Sequence, residues 1–514
     1  MSAFVETVRA VFQYTFIFSS DDSSLAQFGK IIWVMLAGYL IVTRIYDGFF
    51  GPLSHVPGPF TAKFLYWNDG HYDIPIGKRF RNHMRLHKKY GHVVRISPKK
   101  LLISDKDMIT QILSKDDMHK ADLYLNFQMD NNPTIHDTID KAFHKTRRRV
   151  VSPAFAIRYL ATMEPLMHEK IEIMVDKVTK TIETANTNGI KYAEMDLWKL
   201  LQHLTLDIIG STAFGTNFNM IKTGSHPLPD RINSRLKYSS FLILFPMISR
   251  HIPKHMDPYL TSFMTRVIED RITSGKRRQD ILQILIDSQK AESVEDRLAI
   301  AEMINEVTLY LVAGSETSSN TIGFTFVELL KNPETMTKLQ QEIDELEIED
   351  EQKLFQHSQL KRLPYLNAVI SETMRLYPVA TAGLQRKTYT DTVLAGKLAV
   401  PKNTAFVCNM FASQTHPDYW HDADKFLPER WLDYAYPEPA LDAYYPFSAG
   451  SRGCIGKNFA YQEMRLCIST IIKYFDIKPI SLSMDKVKDT RQYVTLTIRG
   501  NSFNVLVAKR EQKH

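Results

Sequence analysis

Phe447-Ser448-Ala449-Gly450-Ser451-Arg452-Gly453-Cys454-Ile455-Gly456 is the stretch on which the reading of this 514-residue chain turns. It sets one cysteine among three glycines, with an arginine two positions upstream and a helical pattern from Gly456 to Tyr474. A cysteine at the start of such a run faces amide N–H groups and the positive end of the helix dipole, which favour a deprotonated sulfur. Glycines let the backbone come close to a flat macrocycle, where a Cβ would collide. Arg452 suits a carboxylate. These ingredients fit a thiolate that holds a haem iron, with a propionate for the arginine. Cys408 and Cys467 stand in apolar surroundings and read as small packing residues.

Upstream, Ala313-Gly314-Ser315-Glu316-Thr317-Ser318 lies inside a long helical pattern ending before Asn332-Pro333. Its small residues would let a ligand rest on the helix, and Glu316 and Thr317 offer a carboxylate and a hydroxyl side by side. Glu372 and Arg375 are three apart, neighbours on a helix, in an apolar context that predicts burial. Arg430 sits in the aromatic, proline-bounded run Phe426–Trp431. His144 and Arg148 share a helix face in His144-Lys145-Thr146-Arg147-Arg148-Arg149.

In this order the motifs resemble those of the cytochrome P450 monooxygenases, from about Pro57 to Arg510. The cysteine stretch fills every position of F-x-x-G-x-R-x-C-x-G. The helix segment matches A/G-G-x-D/E-T-T/S with Glu for the commoner Asp, and E-x-x-R and P-E-R follow. The closest likeness is to fungal microsomal members that decorate terpenoids and polyketides. The resemblance implies a mainly α fold with small β-sheets and haem b as cofactor. It makes Cys454 the axial iron ligand, with Phe447, Gly450, Arg452 and Gly456 around the haem. His144, Arg148 and Arg386 would bind propionates, His144 standing where Trp is usual. Thr317 and Glu316 would handle protons during oxygen activation, and Glu372, Arg375 and Arg430 would form a buried structural cluster.

The chain has no flavin or NADPH fingerprint of its own, so the resemblance implies NADPH–cytochrome P450 reductase as electron donor, with cytochrome b5 a second candidate. Lys145, Arg147 and Lys457 are its expected contacts. Phe127, Met129, residues 241–248, Val379–Leu384 and Tyr493–Leu496 are expected near a hydrophobic substrate. Other readings keep the haem thiolate but use it for isomerisation, dehydration or peroxide-driven chemistry, or for sensing without turnover.

The composition is that of a large globular protein: 44% hydrophobic and 24% charged residues, three cysteines without a C-x-x-C pair, and a net charge of +7. No basic stripe with interleaved aromatics points to nucleic acid. The uncharged run Ile31–Thr43, extended to 28–50 with Lys30 and Arg44 at its edges, reads as a membrane anchor behind residues 1–27. A proline- and glycine-rich connector over 51–60 follows, then one catalytic domain over 61–514. By resemblance the anchor lies in the endoplasmic reticulum with the catalytic domain in the cytosol. A hairpin is expected from 92–97 and 100–104, helices near 156–187, 193–214, 256–274 and 296–331, and strands over 384–407 and 493–508.

Overall fold

The computed structural model describes residues 24–65, 77–130, 132–244, 249, 252, 254–348, 354–432 and 437–511. Helices dominate. In chain order the strands are β1 (Val93–Ser97), β2 (Lys100–Ile103), β3 (His119–Lys120), β4 (Ala193–Asp196), β5 (Leu384–Lys387) and β6 (Thr392–Leu394). They continue with β7 (Leu398–Val400), β8 (Ala405–Cys408), β9 (Phe475–Pro479), β10 (Thr490–Gln492), β11 (Leu496–Ile498) and β12 (Asn504–Lys509). The largest sheet has the order β1-β2-β8-β5-β3, and the others are β4-β12-β9, β10-β11 and β6-β7.

The expected hairpin is present, with Val94 opposite Leu102. Asp105 then caps the next helix by accepting the Met108 amide at 3.0 Å. The helix expected from 193 opens instead as β4. Met195 pairs with Val505 of β12, and only then does Asp196 cap the helix Leu197–Ile209 by accepting the Lys199 N–H at 3.1 Å. The helix Pro227–Leu244 was not anticipated; of the stretch 241–248, residues 245–248 lie outside the described residues. The helix Pro333–Asp344 ends in the acidic stretch 344–351, whose last three residues also lie outside the described residues.

The central helix, Ile300–Lys331, runs through the main core against helix Leu197–Ile209. Two glycines set how close they come. A Cβ on Gly314 would lie 2.8 Å from Ile209 Cδ1, and one on Gly323 would lie 2.7 Å from the Trp198 ring. Gly314 therefore serves helix packing and leaves only Ala313 for a ligand. Trp198 packs edge-on to Phe324 at 5.1 Å, closing the seam.

Helix Ser24–Phe49 stands apart from this core. Its window Gly29–Phe49 has a mean hydropathy of 1.4 and is only 6% buried, long and apolar enough to cross a membrane. The chain after it is tied to the largest sheet. Arg95 donates to the carbonyls of Leu53 and Pro98 at 3.1 and 3.0 Å, and its amide donates to Pro57 O at 2.7 Å. Gly58 must be glycine, because a Cβ there would lie 2.2 Å from Arg95 O.

On the helix Pro364–Leu376, Glu372 is fully buried and accepts five hydrogen bonds. Arg375 grips it in bidentate fashion at 2.8 Å from both Nε and an Nη. Arg430 Nε and Trp431 Nε1 add bonds at 3.0 Å, and Leu427 N adds one at 2.9 Å. The remaining arginine donors reach backbone carbonyls of Gln414, Ala423, Lys425, His421 and Asp422. Removing the carboxylate strands two buried guanidinium groups, a loss of about 3–5 kcal/mol for a broken buried pair. Glu372→Ala is expected to lower the urea midpoint accordingly and to abolish the Soret band of purified protein. A variant with wild-type haem content would remove the cluster from its supporting role.

Candidate active site

The cysteine loop is held from both sides. Within it, Cys454 N donates to Phe447 O at 2.9 Å and Gly453 N to Gly450 O at 3.0 Å. Outside it, Ser451 Oγ donates to Asp117 at 2.7 Å, and Arg148 Nη1 donates to Gly453 O at 2.8 Å. Gly450 has φ +70°, and a Cβ there would lie 1.9 Å from Leu113 O. The glycine thus answers to a neighbouring carbonyl and not to a macrocycle. Gly456 is the one beside the sulfur: its Cβ position meets only Cys454 Sγ, at 4.0 Å.

Cys454 keeps an accessible face, yet lost hydration pushes its thiol up. The Gly456 amide, Arg148 and Lys457 oppose that shift without overcoming it. The expected thiolate is therefore not stable by itself; coordination to a metal would supply it. Thr317 lines a cleft with Val379, Ala460, Met464 and, from the start of the loop, Phe447. Ala313, one turn earlier on the central helix, is exposed to the same side. Thr317 Oγ1 donates to Ala313 O at 2.7 Å, so its oxygen lone pairs are what it offers the cleft.

Glu316 is not beside Thr317, because successive helix residues point about 100° apart. It is buried near Asn320, and burial raises its carboxyl to about 7. Sequence reasoning missed a second carboxyl, Glu463 on the helix Lys457–Tyr474. It is fully buried, with neither oxygen hydrogen-bonded among the described residues. Burial raises it to about 8, partly offset by the Ser318 hydroxyl.

The cationic side of the site is the clearest test of a ligand. Register pairs Lys120 of β3 with Arg386 of β5, and both are buried. Arg452 donates to the carbonyls of Thr138 and Asp140 at 2.9 and 3.1 Å. Burial and then the Arg386 charge bring Arg452 down to about 10. His144 is pushed to about 3 by burial, Arg452, Lys120 and Arg148, so it is a neutral imidazole. Lys120, Arg148, Arg386 and Arg452 make no salt bridge among the described residues, and Arg386 Nε is buried without a hydrogen bond. Such a cluster is unfavourable by itself. A rigid dicarboxylate beside a thiol is the ligand it fits, which is what haem presents. Lys120 had no motif to betray it; its role comes from sheet register.

Not every expected contact is at the site. Arg147 is buried in an ion pair with Glu302 at 2.6 Å, with Glu306 at 3.7 Å, and has no surface to offer a redox partner. Arg149 pairs with Asp296 at 2.5 Å at the surface. Lys145 and Lys457 are exposed. Leu496 belongs to the main core, Phe127 packs against His136 at 5.8 Å, and Tyr493 lies under Lys237 at 5.6 Å. Val379 alone of these reaches the wall with Thr317.

The chain belongs to the cytochrome P450 family, whose model matches residues 57–505. It is similar to the cytochrome P450 monooxygenase acrD of Aspergillus aculeatus, 34% identical over 94% of this chain and 96% of that protein. FUS8 of Gibberella fujikuroi is 32% identical over 93% of each chain, and LUC2 of a Fusarium species 33% over 94% of each; both are also cytochrome P450 monooxygenases. With the family shown, the protein is a haem-dependent monooxygenase.

Two outcomes follow from the site's charges. Arg386→Leu is expected to retain haem poorly, read as the Soret-to-protein ratio after incubation with a haem acceptor, while the cofactor-free protein loses no stability. Equal haem retention would mean that the cations serve something else. For Glu463, the folded group holds a proton between about 4.5 and 8 that the unfolded chain has released. Stability therefore falls as pH rises through that window. Glu463→Gln is expected to flatten the decline of the melting midpoint between pH 5 and 8, and an unchanged slope would contradict the burial argument.

Proposed function

We propose that this chain is a membrane-anchored monooxygenase that takes electrons from an external NADPH-dependent reductase. It would hydroxylate or epoxidise a hydrophobic small molecule of fungal secondary metabolism, a terpenoid or polyketide. The observation that carries the reading is the accessible Cys454 thiol on a loop whose Phe447 lines a cleft with Thr317 and whose Arg452 belongs to a cation cluster that makes no salt bridge among the described residues. The likeness to fungal monooxygenases over nine-tenths of the chain supports the setting.

Cys454 would hold the haem iron, Arg386, Arg452, Lys120 and neutral His144 would take the propionates, and Arg148 would steady the loop beside the sulfur. Thiolate-ligated haem supplies the oxygen-activating chemistry. The chain's own part is orientation and proton control. Thr317 offers a hydroxyl oxygen at the wall, and Glu316, raised to about 7, can both give and take a proton near neutrality. Val379, Ala313 and Met464 give the cleft an apolar lining suited to a hydrophobic substrate. The apolar helix Gly29–Phe49 would set the catalytic domain at an endoplasmic reticulum membrane, and exposed Lys145 and Lys457 would meet the acidic face of the reductase or of cytochrome b5.

The deciding experiment is a carbon monoxide difference spectrum of the reduced protein in membranes, beside Cys454→Ala, followed by reductase-supported turnover. A red-shifted Soret band lost in the variant, with oxygen-dependent NADPH consumption, is the expected result. A thiolate spectrum without any reductase-supported oxygen use would favour peroxide-driven or isomerase chemistry. Thr317→Val and Glu316→Gln are each expected to cut product per NADPH consumed by roughly 10²–10⁴-fold at most, the range for lost acid–base assistance, with the spectrum intact.

A further inference from the structure

Away from the cleft, the residue before β1 meets the turn after the helix Met410–Gln414. There His92, His416 and Asp418 each present one ligand atom within 4.8 Å of the other two. His92 Nε2 lies 3.1 Å from Asp418 Oδ2, and His416 Nδ1 lies 3.6 Å from the same oxygen. The two imidazoles sit with ring centroids 4.1 Å apart.

The hydrogen bonds indicate which atoms carry lone pairs. His416 Nδ1 accepts the Asp418 amide at 3.2 Å, so it is not the protonated nitrogen. It faces a carboxylate oxygen that also only accepts. On the far side of the His92 ring, Nδ1 is 3.1 Å from Ser104 Oγ, which aims Nε2 at Asp418. Ser104 Oγ is itself 3.3 Å from Nδ1 of buried His87, so this outer support is built into the fold. His92 Nε2, His416 Nδ1 and Asp418 Oδ2 thus converge on one point, where a cation would take their lone pairs by displacing the His92 Nε2 proton and the amide's hydrogen bond.

We propose that His92, His416 and Asp418 form a binding site for a divalent transition-metal ion of the zinc type. Bonds of about 2.0–2.1 Å in a tetrahedral centre place ligand atoms roughly 3.4 Å apart, and the distances of 3.1 and 3.6 Å bracket that value. Two imidazoles and one carboxylate suit zinc better than magnesium or calcium, which take oxygen ligands. The Ser104 contact to His92 is the outer-shell orienter such sites use. Asp418 is 63% exposed, which leaves the fourth position to water. The ion would tie the start of β1 to the turn that follows Gln414, a residue whose carbonyl accepts from Arg375 at 3.0 Å.

The competing arrangement is a metal-free bridge in which His92 Nδ1 accepts from Ser104 Oγ and Nε2 donates to Asp418. Haem-loaded full-length protein in detergent, stripped with chelator, is titrated with zinc chloride by calorimetry and by thermal unfolding. The expected result is one saturable equivalent that raises the melting midpoint. In Asp418→Asn and in His92→Gln the affinity should weaken at least 10-fold. Asp418 is exposed, so its variant keeps the fold, checked by an unchanged carbon monoxide spectrum. Equal affinity in wild type and Asp418→Asn, or no saturable equivalent in wild type, would overturn the proposal in favour of the metal-free hydrogen-bonded bridge.

Discussion

Everything around the cysteine loop depends on one fully buried carboxylate. Glu372 gathers Arg375, Arg430, Trp431 Nε1 and the Leu427 amide onto two oxygens. The arginines then spend their other donors on five backbone carbonyls, one at the C-terminus of the helix Met410–Gln414 and four in the turns that follow it. An apolar replacement of similar volume can match a buried ion pair in stability, but it could not pin those carbonyls. Gln414 extends the lattice: it donates to Met374 O at 2.9 Å and accepts from Tyr445 N at 2.9 Å, two residues before Phe447. The position of the thiol is thus inherited from a charge that lies outside the cleft.

The same structure carries charge that it does not balance. Lys120, Arg386 and Arg452 converge without a salt bridge among the described residues, while Glu316 and Glu463 are buried carboxyls outside any ion pair there. Positive groups without partners mark where an anionic ligand completes the fold. Carboxyls raised toward neutrality mark where protons can be exchanged, since a group that titrates near pH 7 gives and takes a proton with little penalty.

How far the sequence could be read depended on the range of the interactions involved. The cysteine loop and the E-x-x-R helix were legible because their partners lie within ten residues or at fixed helical spacing. The hairpin at Pro98 and the capped helix after Asp105 were legible for the same reason. What escaped needed tertiary register. Lys120 joins the cationic cluster only because β3 pairs with β5, more than 250 residues on. Gly450 looked like room for a macrocycle and proved to be room for Leu113 O. Arg147 looked like a basic surface residue, but Glu302, 155 residues away, buries it in an ion pair. Glu463 gave no sign, since a Glu in a helix is ordinarily solvated.

Register also links the two ends of the molecule. β1 is bonded to the connector through the Arg95 amide and Pro57 O, and its side chain holds Leu53. From β1 the sheet passes through β2, β8 and β5 to β3, where Arg386 and Lys120 sit. Five strands at about 4.8 Å spacing make a bridge of roughly 19 Å from the connector below the apolar helix to the cationic cluster. A sheet resists shear along its hydrogen bonds, so the cleft's orientation relative to the apolar helix is carried by β1 and not by the stiffness of the proline-rich connector alone. Gly58 is the joint where that argument is sharpest: any side chain there would push the connector off Arg95 O, and the bridge would lose its first span.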